Sequence, residues 1–271
     1  VGAHGGVWEC PDLFELPVAG VPGTKKWVLL VSINPGAPNG GSCTQYFVGS
    51  FDGHTFTWEE SRIKWIDHGM DNYAGVTWSN VENRRIFLGW MSNWAYADKV
   101  PTHPWRSAMT VPRELSLINR NNEYLIKSTI VSELDQLEQL LVSKENLPLD
   151  EKGTDLHFNG EEFSVSKVEM DVSLENAEEL IIEISNPAGQ KVIMGYNTGS
   201  GELYLDRTKA GKSDFEPTFA SKIHKLDIEQ KMEKVTLELL IDKSSVEFFF
   251  DGGDYTMTDL VFPDADYNSL K

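Results

Sequence analysis

Short apolar runs, broken at even intervals by Gly, Pro, Asn and Asp, fill most of this chain. Trp27–Ile33 is a compact apolar run that ends on the breaker Asn34-Pro35-Gly36-Ala37-Pro38-Asn39-Gly40-Gly41. Tyr46–Phe51 and Thr55–Trp58 flank Asp52-Gly53, a hairpin signal. Val76–Ser79 and Ile86–Met91 flank the polar stretch Asn80–Arg85 and predict a second hairpin. Ser107–Val111 and Leu115–Ile118 predict two more strands, with Pro112 at a bulge or an edge. Short strands at even spacing fit a sandwich, a barrel or a propeller, and spacing alone does not choose among them.

The period changes at Ser132. Leu134, Leu137, Leu140 and Leu141 fall on one helical face, and Ser132 with Asp135 reads as an N-terminal cap. A short amphipathic helix over Ser132–Val142 is therefore expected, followed by the polar linker Ser143–Gly153. Beyond it the β pattern returns. Phe163–Leu174 alternates apolar with polar residues. Further strands are expected at Leu180–Ile184, Lys191–Tyr196, Glu202–Asp206, Val235–Ile241, Val246–Phe250 and Tyr255–Phe262, with Asp251-Gly252-Gly253-Asp254 as the last tight turn. So many strands in so short a stretch fit a β-sandwich. The expected division is 1–130, a helical linker at 131–153, and a sandwich at 154–271.

Composition narrows the partners. The 271 residues suffice for two domains and a sizeable core, and 40% hydrophobic with 24% charged residues is ordinary for a globular protein. A net charge of -18 disfavours nucleic acid and suits a neutral substrate such as a sugar. No apolar run approaches the length of a membrane span. Two cysteines, Cys10 and Cys43, are too few for a disulfide framework, and Cys10 is expected to be a free, small, buried residue. The six His residues show no metal-binding spacing, so no metal and no cofactor are expected. Eight Trp residues are many for this length. Most belong in cores, with one or two left to wall a sugar site.

Glu9 is the candidate for chemistry. A carboxyl against an apolar ring has its charged form disfavoured, which favours proton donation to a leaving oxygen. Trp8 is the neighbouring ring, and Pro11 is expected to rigidify the turn that holds Glu9. Alone, such a Glu reads more readily as a surface or strand-end carboxylate. Its company changes that. Trp8-Glu9-Cys10-Pro11-Asp12-Leu13-Phe14 resembles the acid/base motif of glycoside hydrolase family 32, the invertases, inulinases and levanases. Met70-Asp71-Asn72-Tyr73-Ala74-Gly75 resembles that family's Asp-x-Tyr-Ala segment, and Gly89-Trp90-Met91-Ser92-Asn93-Trp94 its Gly-Trp-Met-x-x-Trp strand. Pro104–Leu115 resembles the close of its catalytic domain. Tyr204-Leu205-Asp206-Arg207-Thr208 and Ile241–Phe249 resemble signatures of its C-terminal sandwich. These segments follow the family's order along nearly the whole chain.

The resemblance implies an all-β fold, a five-bladed β-propeller followed by a β-sandwich, with residues 1–130 as the C-terminal portion of the propeller. It implies removal of β-linked fructose from fructan or sucrose with retention, using an Asp nucleophile and a Glu acid/base. Retaining enzymes hold two such carboxyls about 5–5.5 Å apart. Glu9 matches the acid/base. Asp71 and Tyr73 are expected near Glu9 at the substrate, and Trp94 is expected to wall the fructose pocket. Arg106, Arg113 and Glu114 read as ion-pair members, and Asp206 and Lys243 as structural. Secretion or export to a periplasm suits a polymeric substrate; linkage preference and oligomeric state are not readable.

The chain departs from the family in one respect. The nucleophile's Trp-x-Asn-Asp-Pro-Asn-Gly motif and the Arg-Asp-Pro motif do not occur in it. Both precede the Glu motif in the family, so truncation, with the first two blades or so absent, is the expected reason. The alternatives are a fructan-binding relative without catalysis, a fructosyl transferase, and a five-bladed arabinan-cleaving enzyme, against which the sandwich signatures weigh. The 271-residue polypeptide is expected to release no fructose from levan, inulin or sucrose. An assay of reducing sugar at high enzyme concentration checks this, and any turnover would overturn it.

Overall fold

Alternation of apolar and polar side chains makes each strand two-faced, and sheets form by burying the apolar faces against one another. The computed structural model describes residues 2–271 and is nearly all β. The first sheet holds β1 (Val7–Pro17), β2 (Lys25–Asn34), β3 (Cys43–Phe51) and β4 (Phe56–Trp58) in sequential antiparallel order, with β5 (Lys64–Trp65) also on β3. The second holds β6 (Tyr73–Thr77), β7 (Ile86–Met91), β8 (Ala108–Met109), β9 (Arg113–Arg120) and β10 (Glu123–Ile130), in the order β10-β9-β7-β6 with β8 on β7. These sequential, antiparallel sheets are propeller blades. They pack on each other through Phe14, Leu30, Val48, Phe87 and Leu117.

Three of these strands were not visible in the apolar pattern, and one of them, β5, has only two residues. β1 contains Pro11 and is interrupted by a bulge, which hides its alternation. β10 carries mostly half-buried residues and has little apolar contrast. Two sheets stand before the sandwich, where a loss of about two blades from five had implied three.

The expected amphipathic helix is a single 3-10 helix, Ser132–Leu137. None of its residues is buried, no side chain caps it, and Leu137 is 81% exposed. Leucines at helical spacing give a helix only where a surface waits to cover them. The chain then runs without regular structure to β11 (Leu156–His157) and the one-turn α1 (Gly160–Phe163). The remaining strands are β12 (Ser166–Ser173), β13 (Glu179–Ser185), β14 (Lys191–Asn197), β15 (Glu202–Lys209), β16 (His224–Asp227), β17 (Lys234–Asp242), β18 (Ser245–Phe250), β19 (Tyr255–Leu260) and β20 (Ser269–Leu270). They form two sheets, ordered β11-β20-β13-β14-β15-β16 and β12-β17-β18-β19. A core including Ile182, Met194, Leu205, Leu237 and Phe248 lies between them.

All six residues of β18 are buried. A strand covered on one face only alternates; β18 is covered on both. Its second face meets the propeller, where Glu247 accepts from Arg113 Nη2 at 2.6 Å and the Arg113 guanidinium lies 4.8 Å from the Phe249 ring centroid. β19 is the edge of this sheet, and the segment at 66–71 lies along it. His68 N donates to Thr256 O at 2.8 Å and Asp71 N to Thr258 O at 2.9 Å. Thr258 N donates to Asp67 Oδ1 and Leu260 N to Asp71 Oδ2, each at 2.8 Å. A third core, with Met70, Met91, Tyr96, Phe219, Leu260 and Phe262, fills the space beside this seam.

Gly69 has no room for a side chain at the seam. A Cβ there would stand 2.2 Å from Thr258 O and 2.4 Å from Thr258 N. Gly69→Ala is expected to force the segment off β19 and to cost about 1–3 kcal/mol, the range for overpacking a tight contact. Urea unfolding monitored by tryptophan fluorescence measures it; a wild-type midpoint would show that the seam yields freely.

Candidate active site

Glu9 is carried by β1 at a break in its ladder. Glu9 pairs with Ser32 and Asp12 with Leu30, so Cys10 and Pro11 stand where a regular strand has one residue. This is a β-bulge, a device that re-aims side chains beside sites. Cys10 adopts φ 48°, a left-handed conformation that costs a non-glycine residue about 1–3 kcal/mol. Pro11 lacks a backbone donor, and a bulge on an edge strand is where a sheet tolerates that.

The extra residue puts Glu9 and Asp12 on one face of β1, because their partners are two residues apart. Both reach β6. Tyr73 Oη donates to Glu9 Oε2 at 2.5 Å. Thr77 donates to Asp12 Oδ2 from its backbone N and from its Oγ1, each at 2.7 Å. A second bulge follows Tyr73, which pairs with Trp90 while Val76 pairs with Leu88; Ala74 within it has φ 51°. Glu9 and Tyr73 are thus each next to a left-handed non-glycine residue. Burial, and then the hydrogen bond to the Glu9 carboxylate, push the Tyr73 phenol well above the ordinary tyrosine range. Tyr73 is therefore a hydrogen-bond donor at neutral pH, and one Glu9 oxygen is held while the carboxyl stays exposed.

Trp8 does not supply the apolar wall expected of it. It packs on Phe47, ring centroids 5.8 Å apart, and its Nε1 donates to Ala3 O at 2.9 Å. Side chains adjacent on a strand point to opposite faces, so Trp8 turns away from Glu9. Cys10 is exposed where burial was expected; both cysteines are free. Trp94 is 56% exposed and stands against Trp90 at 5.0 Å, and Trp90 lies 6.3 Å from Tyr73. A row of rings thus runs from the partner of Glu9 to Trp94. Asn93 anchors the turn that carries Trp94, donating from Nδ2 to Met70 O at 2.8 Å and accepting at Oδ1 from Ser42 N at 3.3 Å.

Asp71, expected near Glu9, is turned into the seam with the sandwich. It is fully buried, and its oxygens accept from Arg207 Nη1 at 2.6 Å, Tyr96 Oη at 2.8 Å and Leu260 N at 2.8 Å. Its carboxylate closes the sheet edge, with three donors on its two oxygens. Burial pushes this carboxyl up; Arg207 opposes the shift and the neighbouring Asp259 adds to it.

Asp12, Thr77, Trp90, Tyr96 and Arg207 belong to this arrangement although the residue pattern did not single them out. Arg207 had a signal. It follows Leu203 and Leu205 at period two, so an arginine occupies an inward position of an alternating strand. Among the described residues, no group of three or more His, Cys, Asp or Glu side chains is placed to hold a metal ion.

The fold is propeller blades joined to a β-sandwich, with a carboxyl–phenol pair and exposed indoles on the blades, and the family models place it among the glycosyl hydrolases. Residues 2–128 match the glycosyl hydrolases family 32 N-terminal domain, and residues 133–271 match the family 32 C-terminal domain. The chain belongs to glycosyl hydrolase family 32. It is 39% identical over 277 aligned residues to a levanase of Bacillus subtilis (strain 168), covering 100% of this chain and 41% of the levanase. It is 38% identical to an extracellular exo-inulinase of Aspergillus ficuum, covering 97% of this chain and 51% of that protein. The crystal structure of exo-inulinase from Aspergillus awamori superposes with a TM-score of 0.87 at 30% identity, over 99% of this chain and 54% of that one. The chain thus spans about half the length of these relatives.

The raised Tyr73 phenol gives a test of the pair. Glu9→Gln removes the negative charge while burial remains. Tyr73 is then expected to ionise at lower pH than in the parent, though still above a free tyrosine. Alkaline titration of ¹³Cζ-tyrosine resonances follows it, and an unmoved Tyr73 would show that Glu9 is not its partner in solution.

Proposed function

We propose that this chain is the part of a retaining β-fructosidase that carries the acid/base, acting on levan, inulin or sucrose. The observation that supports the reading best is the 2.5 Å hydrogen bond from Tyr73 to Glu9 on two bulged strands. It leaves one oxygen of Glu9 to give its proton to the leaving oxygen as the fructosyl bond breaks. In the second half-reaction the same carboxylate takes a proton from water, which attacks the fructosyl–enzyme bond. The nucleophile comes from residues outside this sequence, which has no Asn-Asp-Pro-Asn motif.

Tyr73 orients Glu9, and Trp94 offers a flat apolar wall to the C–H faces of the sugar. Residues 1–130 form the C-terminal portion of the catalytic propeller, 131–153 the connection and 154–271 the sandwich. The extracellular naming of the inulinase relatives favours export. No helix among the described residues is long and apolar enough to cross a membrane.

Expression of the whole open reading frame, with fructose release from levan, inulin and sucrose as readout, tests the function. Glu9→Gln in that protein is expected to lower kcat by about 10²–10⁴-fold, the usual contribution of a general acid/base. An aryl fructoside, whose leaving group needs less protonation, should lose less. Retention of fructan without fructose release would identify a binding protein instead, and fructosylated products at high sucrose a transferase.

A further inference from the structure

Tyr73 and Trp94 lie on separate segments of the propeller, and one residue of the sandwich grips both. Arg207, on β15, is fully buried. Its Nη1 donates to Asp71 Oδ2 at 2.6 Å, two residues before Tyr73. Its Nη2 donates to Tyr96 Oη at 2.8 Å, two residues after Trp94. Tyr96 Oη in turn donates to Asp71 Oδ1 at 2.8 Å, which closes a ring of three side chains. The guanidinium lies over Phe219, its Cζ 4.0 Å from the ring centroid, and Nη1 also donates to Leu260 O at 2.9 Å.

We propose that Arg207 is a positioning residue for the fructoside site, setting Tyr73 and Trp94 relative to each other through Asp71 and Tyr96. The proposal rests on the reading of Glu9, Tyr73 and Trp94 as that site. A planar fork is required, because two acceptors on different segments are held at fixed angles by one rigid group. A lysine would supply the charge but only a point donor. The sandwich is thereby part of the site's geometry, although Arg207 touches no substrate.

The test uses this chain, labelled with ¹³Cζ-tyrosine and ¹⁵Nε1-tryptophan, as Arg207→Lys, Tyr96→Phe and Arg120→Met. Arg120 serves as control: it pairs with Asp251 and Asp254 across the same domain contact but not with Asp71 or Tyr96. In Arg207→Lys and Tyr96→Phe, the Tyr73 resonance should move and its ionisation shift to lower pH as the bond to Glu9 loosens, and the Trp94 indole signal should move or broaden. Arg120→Met should lower the melting temperature and leave both signals in place. If Arg207→Lys fails to fold, Tyr96→Phe, which deletes one hydroxyl, decides. Wild-type Tyr73 and Trp94 signals in a folded variant would overturn the proposal, as would equal movement in Arg120→Met. No sugar is present, so this result stands apart from the fructose-release assay that decides the fructosidase reading.

Discussion

The edge of β19 is the constraint from which most of the structure follows. An edge strand presents N–H and C=O groups that must find partners once they are buried. The segment at 66–71 supplies them, but it is not a strand. Its amides at His68 and Asp71 serve the carbonyls of Thr256 and Thr258. The amides of Thr258 and Leu260 go to the carboxylates of Asp67 and Asp71 instead. Two side chains take the place of the carbonyls of a missing neighbour. Buried carboxylates need cations, and each has one: Asp67 has Arg113 at 2.9 Å and Asp71 has Arg207 at 2.6 Å. Burial alone would push Asp67 up; Arg113 and the donors of Thr258 and Gly69 outweigh it and hold that carboxyl below its ordinary value.

A closure built from ions contributes less stability than an apolar one of the same size, since desolvation offsets much of the attraction. What it adds is direction. Arg113 comes from the propeller and reaches Glu247 of the sandwich; Arg207 comes from the sandwich and reaches Asp71 of the propeller. The two arginines cross the seam in opposite senses. Sliding the sandwich along the blade would strand four buried charges, whereas an apolar cluster such as the one that holds Met70 and Leu260 would tolerate the shift. The same Asp-Asn-Tyr segment that closes the edge places Tyr73 on Glu9, so the orientation of the domains and the aim of the Glu9 carboxyl are linked.

Most of the fold was legible where burial is one-sided. β13 and β17 alternate as a half-covered strand should, and Asp52-Gly53 turns where a hairpin was expected. Legibility failed where another element decides the outcome. The leucines of 134–141 match a helix face, but no surface covers them and they stay outside any α-helix. At the candidate site, motif resemblance, not pattern, points to Glu9, Tyr73 and Trp94. Asp71 was expected at the substrate through the same resemblance, its match to the Asp-x-Tyr-Ala segment. Only the fold shows that an arginine 136 residues away holds it.

The bulge on β1 explains why Glu-Cys-Pro-Asp is written as it is. In a regular strand, residues three apart point to opposite faces, and Glu9 and Asp12 would divide between the seam with β6 and the far side. Inserting one residue reverses the parity of everything beyond it. Glu9 then serves Tyr73 while Asp12 serves Thr77, and β1 and β6 are joined at two points. The insertion requires a residue that accepts a left-handed φ and one that gives up its ladder donor, which Cys10 and Pro11 provide. Trp8 lies before the insertion and turns to Phe47. A change of parity, not an apolar neighbour, is what brings the Glu9 carboxyl to a phenol that holds it.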